Sequence, residues 1–327
     1  MSRPVDNIST KMTAFADELK AQKRDRGAYA VARIPWAPTA RLGHGTDGYA
    51  LLLLAGRAAQ PDLVLKNIRV RFNLRCLIQE QGKTPFDETV TMVECTSTDP
   101  WHQDTFVRVS GLLLASDAQA AGEIQSLVTA LVELFRSFDS APATSVIGLW
   151  SELFVLGRAT DVALAAASWH GLPNDRYDFA HEDARIDVKA TSGEREHHFS
   201  LDQLRPPQGT QGFIVSVITA PSAAGPTIQM LVDKILASVP TNLRDKVLRN
   251  VMAVAGSSWP DMAKASFDDA LALETMRWFD CADIPRVPDP PLEVSSVRFV
   301  SNLSHVSPLA PNRLAGSGRL VEALLAT

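Results

Sequence analysis

Residues 174–190 read NDRYDFAHEDARIDVKA, and the reading of the whole chain turns on them. Two short runs with strand chemistry flank the polar residues His181, Glu182, Asp183 and Ala184, a pattern that predicts a hairpin. In the second run Ile186 and Val188 alternate with Arg185, Asp187, Lys189 and Thr191, so a strand sends the two sets to opposite faces. The first run repeats this, with Asp178 between Tyr177 and Phe179. Two carboxylates and an ammonium are thus expected on one side of a ribbon whose other side packs into a core. Carboxylate oxygens suit a hard cation such as Mg²⁺, with Mn²⁺ as its substitute, and such an ion keeps positions for phosphate oxygens and water. A lysine beside the ion can orient and deprotonate an attacking water, or neutralise a forming phosphorane. The constellation points to phosphodiester hydrolysis.

Working outward, a helix is predicted from Ser145 to Ala167, with Glu152 on the same face as Leu149 and Leu156. A carboxylate there is costly unless paired, so from the helix alone Glu152 reads as an ion-paired residue at the edge of the apolar stripe. Downstream, Glu196 to Phe199 can add a third strand, and Ser200 to Gln203 reads as a capping box opening a short helix that Arg205, Pro206 and Pro207 stop. Gln203 thus has a structural explanation beside a functional one. His197 and His198, adjacent on a strand, point to opposite faces, so at most one of them, expected to be His198, touches a substrate. Gly212 to Thr219 is a nearly continuous apolar run, typical of a strand buried on both faces.

GLWSELFVL at 148–156, YDF at 177–179, IDVKAT at 186–191 and HFSLDQL at 198–204, in this order and spacing, resemble the PD-(D/E)xK nuclease superfamily. Within it, they resemble a group of restriction-associated proteins. The resemblance covers roughly residues 144–220 and implies an α/β (α+β) fold with a restriction-endonuclease-like αβββαβ core. It also implies that Glu152 lies near the metal and Gln203 near the site. The expected chemistry is metal-dependent hydrolysis of DNA. Asp178 and Asp187 hold one or two Mg²⁺ ions, the Val188 carbonyl is an additional ligand, and Glu152 completes the shell directly or through water. Lys189 positions the water and offsets developing charge. Two rivals stand beside this: a catalytically silent nuclease fold serving as a DNA-binding or assembly subunit, and an α/β protein whose Asp187 and Lys189 merely pair on a solvated surface.

The chain has 327 residues, 46% of them hydrophobic and 21% charged, which describes a globular protein with room for two domains of ordinary size or one elaborated one. The expected division is a β-rich part over 1–140, for DNA or partner recognition, and a nuclease-like part over 141–327. A net charge of -5 excludes a strongly basic nucleic-acid binder, so DNA contacts must come from local patches. One candidate patch is the predicted strand Lys66 to Ile78, where Arg69, Arg71 and Arg75 are expected on one face. Other strands are expected at Tyr49 to Ala55, Glu88 to Thr96, Thr105 to Leu114 and Glu293 to Val300. Helices are expected at Asn7 to Lys23, Asp117 to Phe138, Thr227 to Ser238, Asn242 to Ala255 and Phe267 to Trp278. Arg33 to Gly48 reads as a Gly- and Pro-rich loop, and Asp139 to Ser145 as the boundary.

Cys76, Cys95 and Cys281 lack metal-ligand spacing, and Ser257, Ser258, Ser304 and His305 lie in no nucleophile-elbow pattern. No apolar run is long enough to span a bilayer, so a soluble cytoplasmic protein is expected. One site per chain cuts both strands of a duplex only with a second copy or a second visit, so a homodimer, or other restriction or defence subunits, are the expected partners besides DNA.

Overall fold

The computed structural model describes residues 27–325 apart from 46, 57–59, 81–82, 115–123, 138–144, 171–174, 289 and 292, together with 12, 14, 16 and 17. The expected helix Asn7 to Lys23 and the boundary Asp139 to Ser145 lie almost wholly outside the described residues. The chain divides into two units: residues 1–140 with 240–249, and residues 141–239 with 250–327.

The first unit is built on β1 (Tyr29–Ile34), β2 (Ala37–His44), β3 (Ala50–Ala55), β4 (Leu63–Val64), β5 (Ile68–Glu80) and β6 (Phe86–Cys95). They pair in the order β1-β2-β3-β6-β5-β4, and β1 also pairs parallel with β5, so five strands close on themselves. Val31, Leu51, Leu53, Cys76, Ile78, Val90 and Met92 form its buried apolar cluster. The segment expected as the loop Arg33 to Gly48 supplies the end of β1 and all of β2. Its Gly43 is a packing requirement: a Cβ there would stand 2.5 Å from the Ala30 carbonyl oxygen on β1.

The expected strand Thr105 to Leu114 is instead helix α1 (Pro100–Leu114), followed by α2 (Ile124–Ser137). Val107 and Val109 imitate strand alternation, but Phe106, Val109, Ser110 and Leu114 are all buried at helical spacing, and Arg108 pairs with Asp104 one turn back at 3.6 Å. Proline at the first helical position costs no hydrogen bond and starts the helix cleanly.

The expected single-faced arginine stripe is also corrected. Arg71 stands opposite Met92 and Leu74 opposite Val90, so three residues of β5 match two of β6, with Asn73 at φ 52°. This bulge shifts the alternation by one. Arg69 and Arg71 share the face of Leu74, Cys76 and Ile78, while Arg75 takes the other face. Arg69 and Arg71 lie 3.3 and 3.8 Å from Glu94, and Arg75 lies 3.1 Å from Asp87.

In the second unit the expected helix Ser145 to Ala167 is two helices, α3 (Val146–Gly157) and α4 (Val162–Ser168). Asp161 restarts the chain by accepting from the Leu164 amide at 2.9 Å, as an N-cap does. Helix α3 is buried from Leu149 to Gly157 and packs against β8 (Ala184–Thr191) and α5 (Ile228–Ser238). The sheet runs β11-β10-β8-β7, with β7 (Phe179–Ala180) antiparallel to β8, β10 (Gln211–Ile218) parallel to it, and β11 (Arg277–Asp280) antiparallel to β10.

The expected order is helix, strand, strand, strand, short helix, strand; the three strands follow in that order, but β9 (Glu196–Ser200) is no third strand of that sheet. It pairs with β12 (Arg298–Asn302) in a separate ribbon, burying Phe199, while β11 completes the four strands. Residues 201–204 form turns rather than a helix. The expected helix Phe267 to Trp278 is shorter: after α6 (Thr241–Ala255) and a short turn of helix, α7 spans Asp269–Thr275, and Trp278 belongs to β11.

Candidate active site

Strand β8 carries the site as its alternation requires. Ile186 is fully buried and Val188 nearly so, while Asp187 and Lys189 leave on the other face, opposite Ile214 and Ser216 of β10. Phe179 pairs with Ile186, and Asp178 immediately precedes β7. There its Oδ2 accepts from the Val188 amide at 2.6 Å. A strand residue sends its N–H and C=O to the same edge, so the Val188 carbonyl leaves β8 on the Asp178 side.

The lysine and the two aspartates form one electrostatic unit. Lys189 Nζ lies 2.8 Å from Asp187 Oδ2 and 5.7 Å above the Phe199 ring. Gln203 Nε2 donates to Asp187 Oδ1 at 3.2 Å and to the Arg176 carbonyl at 3.3 Å, while its Oε1 accepts from the Ser200 amide. Glu152, 6% exposed, receives the Trp169 indole N–H on Oε2 at 3.0 Å, and His170 Nε2 stands 3.3 Å from the same oxygen. The backbone amide of His170 donates to the Asp178 carbonyl at 2.7 Å, which ties the helix acid to the strand acids.

Each carboxylate therefore has one oxygen held by a neutral N–H donor. No hydrogen bond reaches Asp178 Oδ1 or Glu152 Oε1 among the described residues. Asp187 Oδ2 is buried and, although it touches the Lys189 ammonium, accepts no hydrogen bond of acceptable direction. Burial pushes the Asp178 carboxyl well above its usual range, and the Glu152 and Asp187 carboxylates push it further. Burial also raises Asp187, against the pull of Lys189. Burial opposes charge on Lys189, yet the Asp187, Asp178 and Glu152 carboxylates prevail and raise its pKa.

Such crowding of hard oxygen donors around one ammonium fits a divalent cation, whose charge would relieve the repulsion. As placed, no three His, Cys, Asp or Glu side chains among the described residues form a ready ligand cluster. The fit is to a centre with few direct protein ligands, the kind in which water completes the shell.

The chain matches, over residues 18–304, a family model described as "Putative PD-(D/E)XK family member, (DUF4420)". The chain belongs to this PD-(D/E)XK family. No curated protein and no solved structure matches it. The matched residues include parts of both units. No helix of the described residues is long and apolar enough to cross a membrane.

Of the residues singled out in the sequence, Glu152, Asp178, Asp187, Lys189 and Gln203 come together in the second unit. His198 is exposed on β9, its side chain opposite to that of the buried His197, and Arg69, Arg71 and Arg75 belong to the first unit. Trp169 and His170 were missed, because nothing periodic marks a residue that follows a helix and turns back onto an earlier one. The available signal was Glu152 itself: a carboxylate on a helix buried all round must find donors.

Proposed function

We propose that this PD-(D/E)XK protein is a Mg²⁺-dependent endonuclease that hydrolyses DNA phosphodiesters, acting in restriction or phage defence with DNA and a second copy, or other defence subunits, as partners. The reading is supported by one observation: three carboxylates crowd one lysine ammonium, each with one oxygen held by an N–H donor, and Asp187 turns its other oxygen to that ammonium while Asp178 and Glu152 keep theirs free of hydrogen bonds among the described residues. Asp178 and Asp187 would hold the cation, with the Val188 carbonyl beside them and Glu152 acting through water. Mg²⁺, when bound, supplies Lewis-acid activation of water and a counter-charge for the phosphate.

The chain's own residues do the rest. Lys189, kept an ammonium by its carboxylate neighbours, donates toward the scissile phosphate and offsets the charge that builds on it. Asp187 holds that ammonium by charge at 2.8 Å, and the Phe199 ring lies beneath it. Gln203 holds the second oxygen of Asp187 so that the carboxylate cannot rotate away.

The test is cleavage of plasmid DNA in Mg²⁺ or Mn²⁺ by the wild type and by Lys189→Ala, with folding checked by thermal melting. Loss of one charge-stabilising donor is expected to slow cutting by about a hundredfold to a thousandfold. Cutting at the wild-type rate by the variant rejects the role of Lys189. A wild type that binds Mn²⁺ and DNA but never cuts supports the silent-subunit reading.

A further inference from the structure

The residues assigned so far are the acids, the lysine and the glutamine. Behind the helix acid stands a pair of buried side chains to which that reading gives no part. Trp169 is fully buried, and its indole N–H is spent on Glu152 Oε2 at 3.0 Å. His170, 8% exposed, brings Nε2 to within 3.3 Å of the same oxygen, and its ring lies edge-on to the Trp169 indole with centroids 4.7 Å apart. The Trp169 donor and the His170 ring thus meet on one oxygen, the first by a hydrogen bond and the second by close approach, which restricts the rotation of the carboxylate.

The backbone of the same dipeptide is pinned at both ends. Trp169 bridges Phe179, His170 N–H holds the Asp178 carbonyl, and the Asn250 side-chain amide donates to the carbonyls of both Trp169 and His170. One two-residue segment thus contacts Glu152 through its side chains and Asp178 through its backbone, so the distance between those acids depends on it.

We propose that Trp169 and His170 are positioning residues, a joint that sets the orientation of Glu152 relative to Asp178 and thereby the affinity of the site for its divalent cation. This rests on the metal-site reading above. A donor that fixes an outer carboxylate acts on the ion through geometry, and loss of such a partner weakens metal affinity by about tenfold to a hundredfold.

The measurement is Mn²⁺ binding to the full chain, followed by electron paramagnetic resonance of the free ion, in the wild type and in His170→Phe, His170→Gln, Glu152→Gln and the double variant His170→Phe with Glu152→Gln. Phenylalanine keeps a ring against Trp169 and removes the polar ring nitrogen beside Glu152, whereas glutamine restores a polar group there. Mn²⁺ affinity is expected to fall about tenfold in His170→Phe and to recover most of that loss in His170→Gln. In the Glu152→Gln background His170→Phe is expected to add nothing, because its effect passes through Glu152.

Wild-type affinity in His170→Phe, or equal losses in both backgrounds, overturns the joint while the metal site stands. If the wild type binds Mn²⁺ no better than Asp187→Asn does, the metal reading falls and the joint falls with it. Matching melting temperatures for wild type and His170→Gln separate positioning from failure to fold.

Discussion

Gln203 does two jobs with one amide. Its carbonyl oxygen accepts from the Ser200 amide while Ser200 Oγ accepts from the Gln203 amide, and its NH₂ group holds Asp187. The sequence shows the capping box and the nearness to a site as alternatives; the geometry joins them, because the cap fixes the side-chain direction that the site uses. The turn is itself braced, with the Tyr177 hydroxyl donating to the carbonyls of Asp202 and Arg205 and Arg286 donating to that of Leu204. This makes a discriminating pair of substitutions. Gln203→Ala removes the cap and the donor together and is expected to cost about 1 kcal/mol. Gln203→Glu keeps the acceptor for Ser200 but places a carboxylate against Asp187. In chelator it is expected to be less stable than Gln203→Ala by urea denaturation, with divalent cation narrowing the gap. Equal stability of Glu and Gln at this position would reduce Gln203 to a cap alone.

Elements whose signal is local were legible, and those whose signal depends on a partner were not. Strand β8 alternates without interruption, so the face of Asp187 and Lys189 could be read directly from the order of residues. Strand β5 alternates just as cleanly on paper, but its bulge is fixed by pairing with β6, and one extra residue moved Arg75 to the other face. The same dependence hid the place of β9, whose partner β12 lies about a hundred residues downstream and whose identity no local pattern announces. The bulge offers its own test. Asn73 sits at φ 52°, a region that asparagine tolerates and a β-branched residue does not. Asn73→Val is expected to destabilise the first unit by about 1–2 kcal/mol, and Asn73→Gly to stay within a few tenths. If valine is as stable as asparagine by thermal melting, the backbone there is not left-handed and the bulge is not where it has been placed.

For the whole molecule, composition foretold a core, and length allowed two domains or one elaborated one, but neither told how each unit answers to acid, which depends on its buried titratable groups. His197 is 3% exposed, with Nε2 2.7 Å from Ser216 Oγ, and burial, reinforced by Lys189, Arg195 and His198, lowers its pKa from 6.5 to about 4. The fold thus favours the neutral ring. Its contribution is complete above the unfolded value and declines as pH falls from 6.5 toward about 4. Glu80 in the first unit is held by Arg33 at 3.1 Å, Arg41 at 2.7 Å and Lys83. Burial opposes its charge, but the three cations outweigh burial and lower its pKa from 4.5 to about 2. Its contribution is therefore present above 4.5 and is lost only as pH falls toward about 2. Acidification should weaken the second unit first. His197 is expected to contribute a loss of about 2 kcal/mol to that unit between about pH 7 and about pH 5, opposed by protonation of the raised Asp178 and Asp187 carboxyls. It is read as the difference in urea denaturation between the wild type and His197→Gln, which keeps a partner for Ser216 but cannot take up a proton. Hydrogen exchange, corrected for intrinsic rates, assigns the loss: amides of β8 and β10 should open in this range while those of β1 and β5 hold until Glu80 titrates. An equal slope in the variant, or β1 and β5 opening first, would place the acid-sensitive group somewhere other than His197.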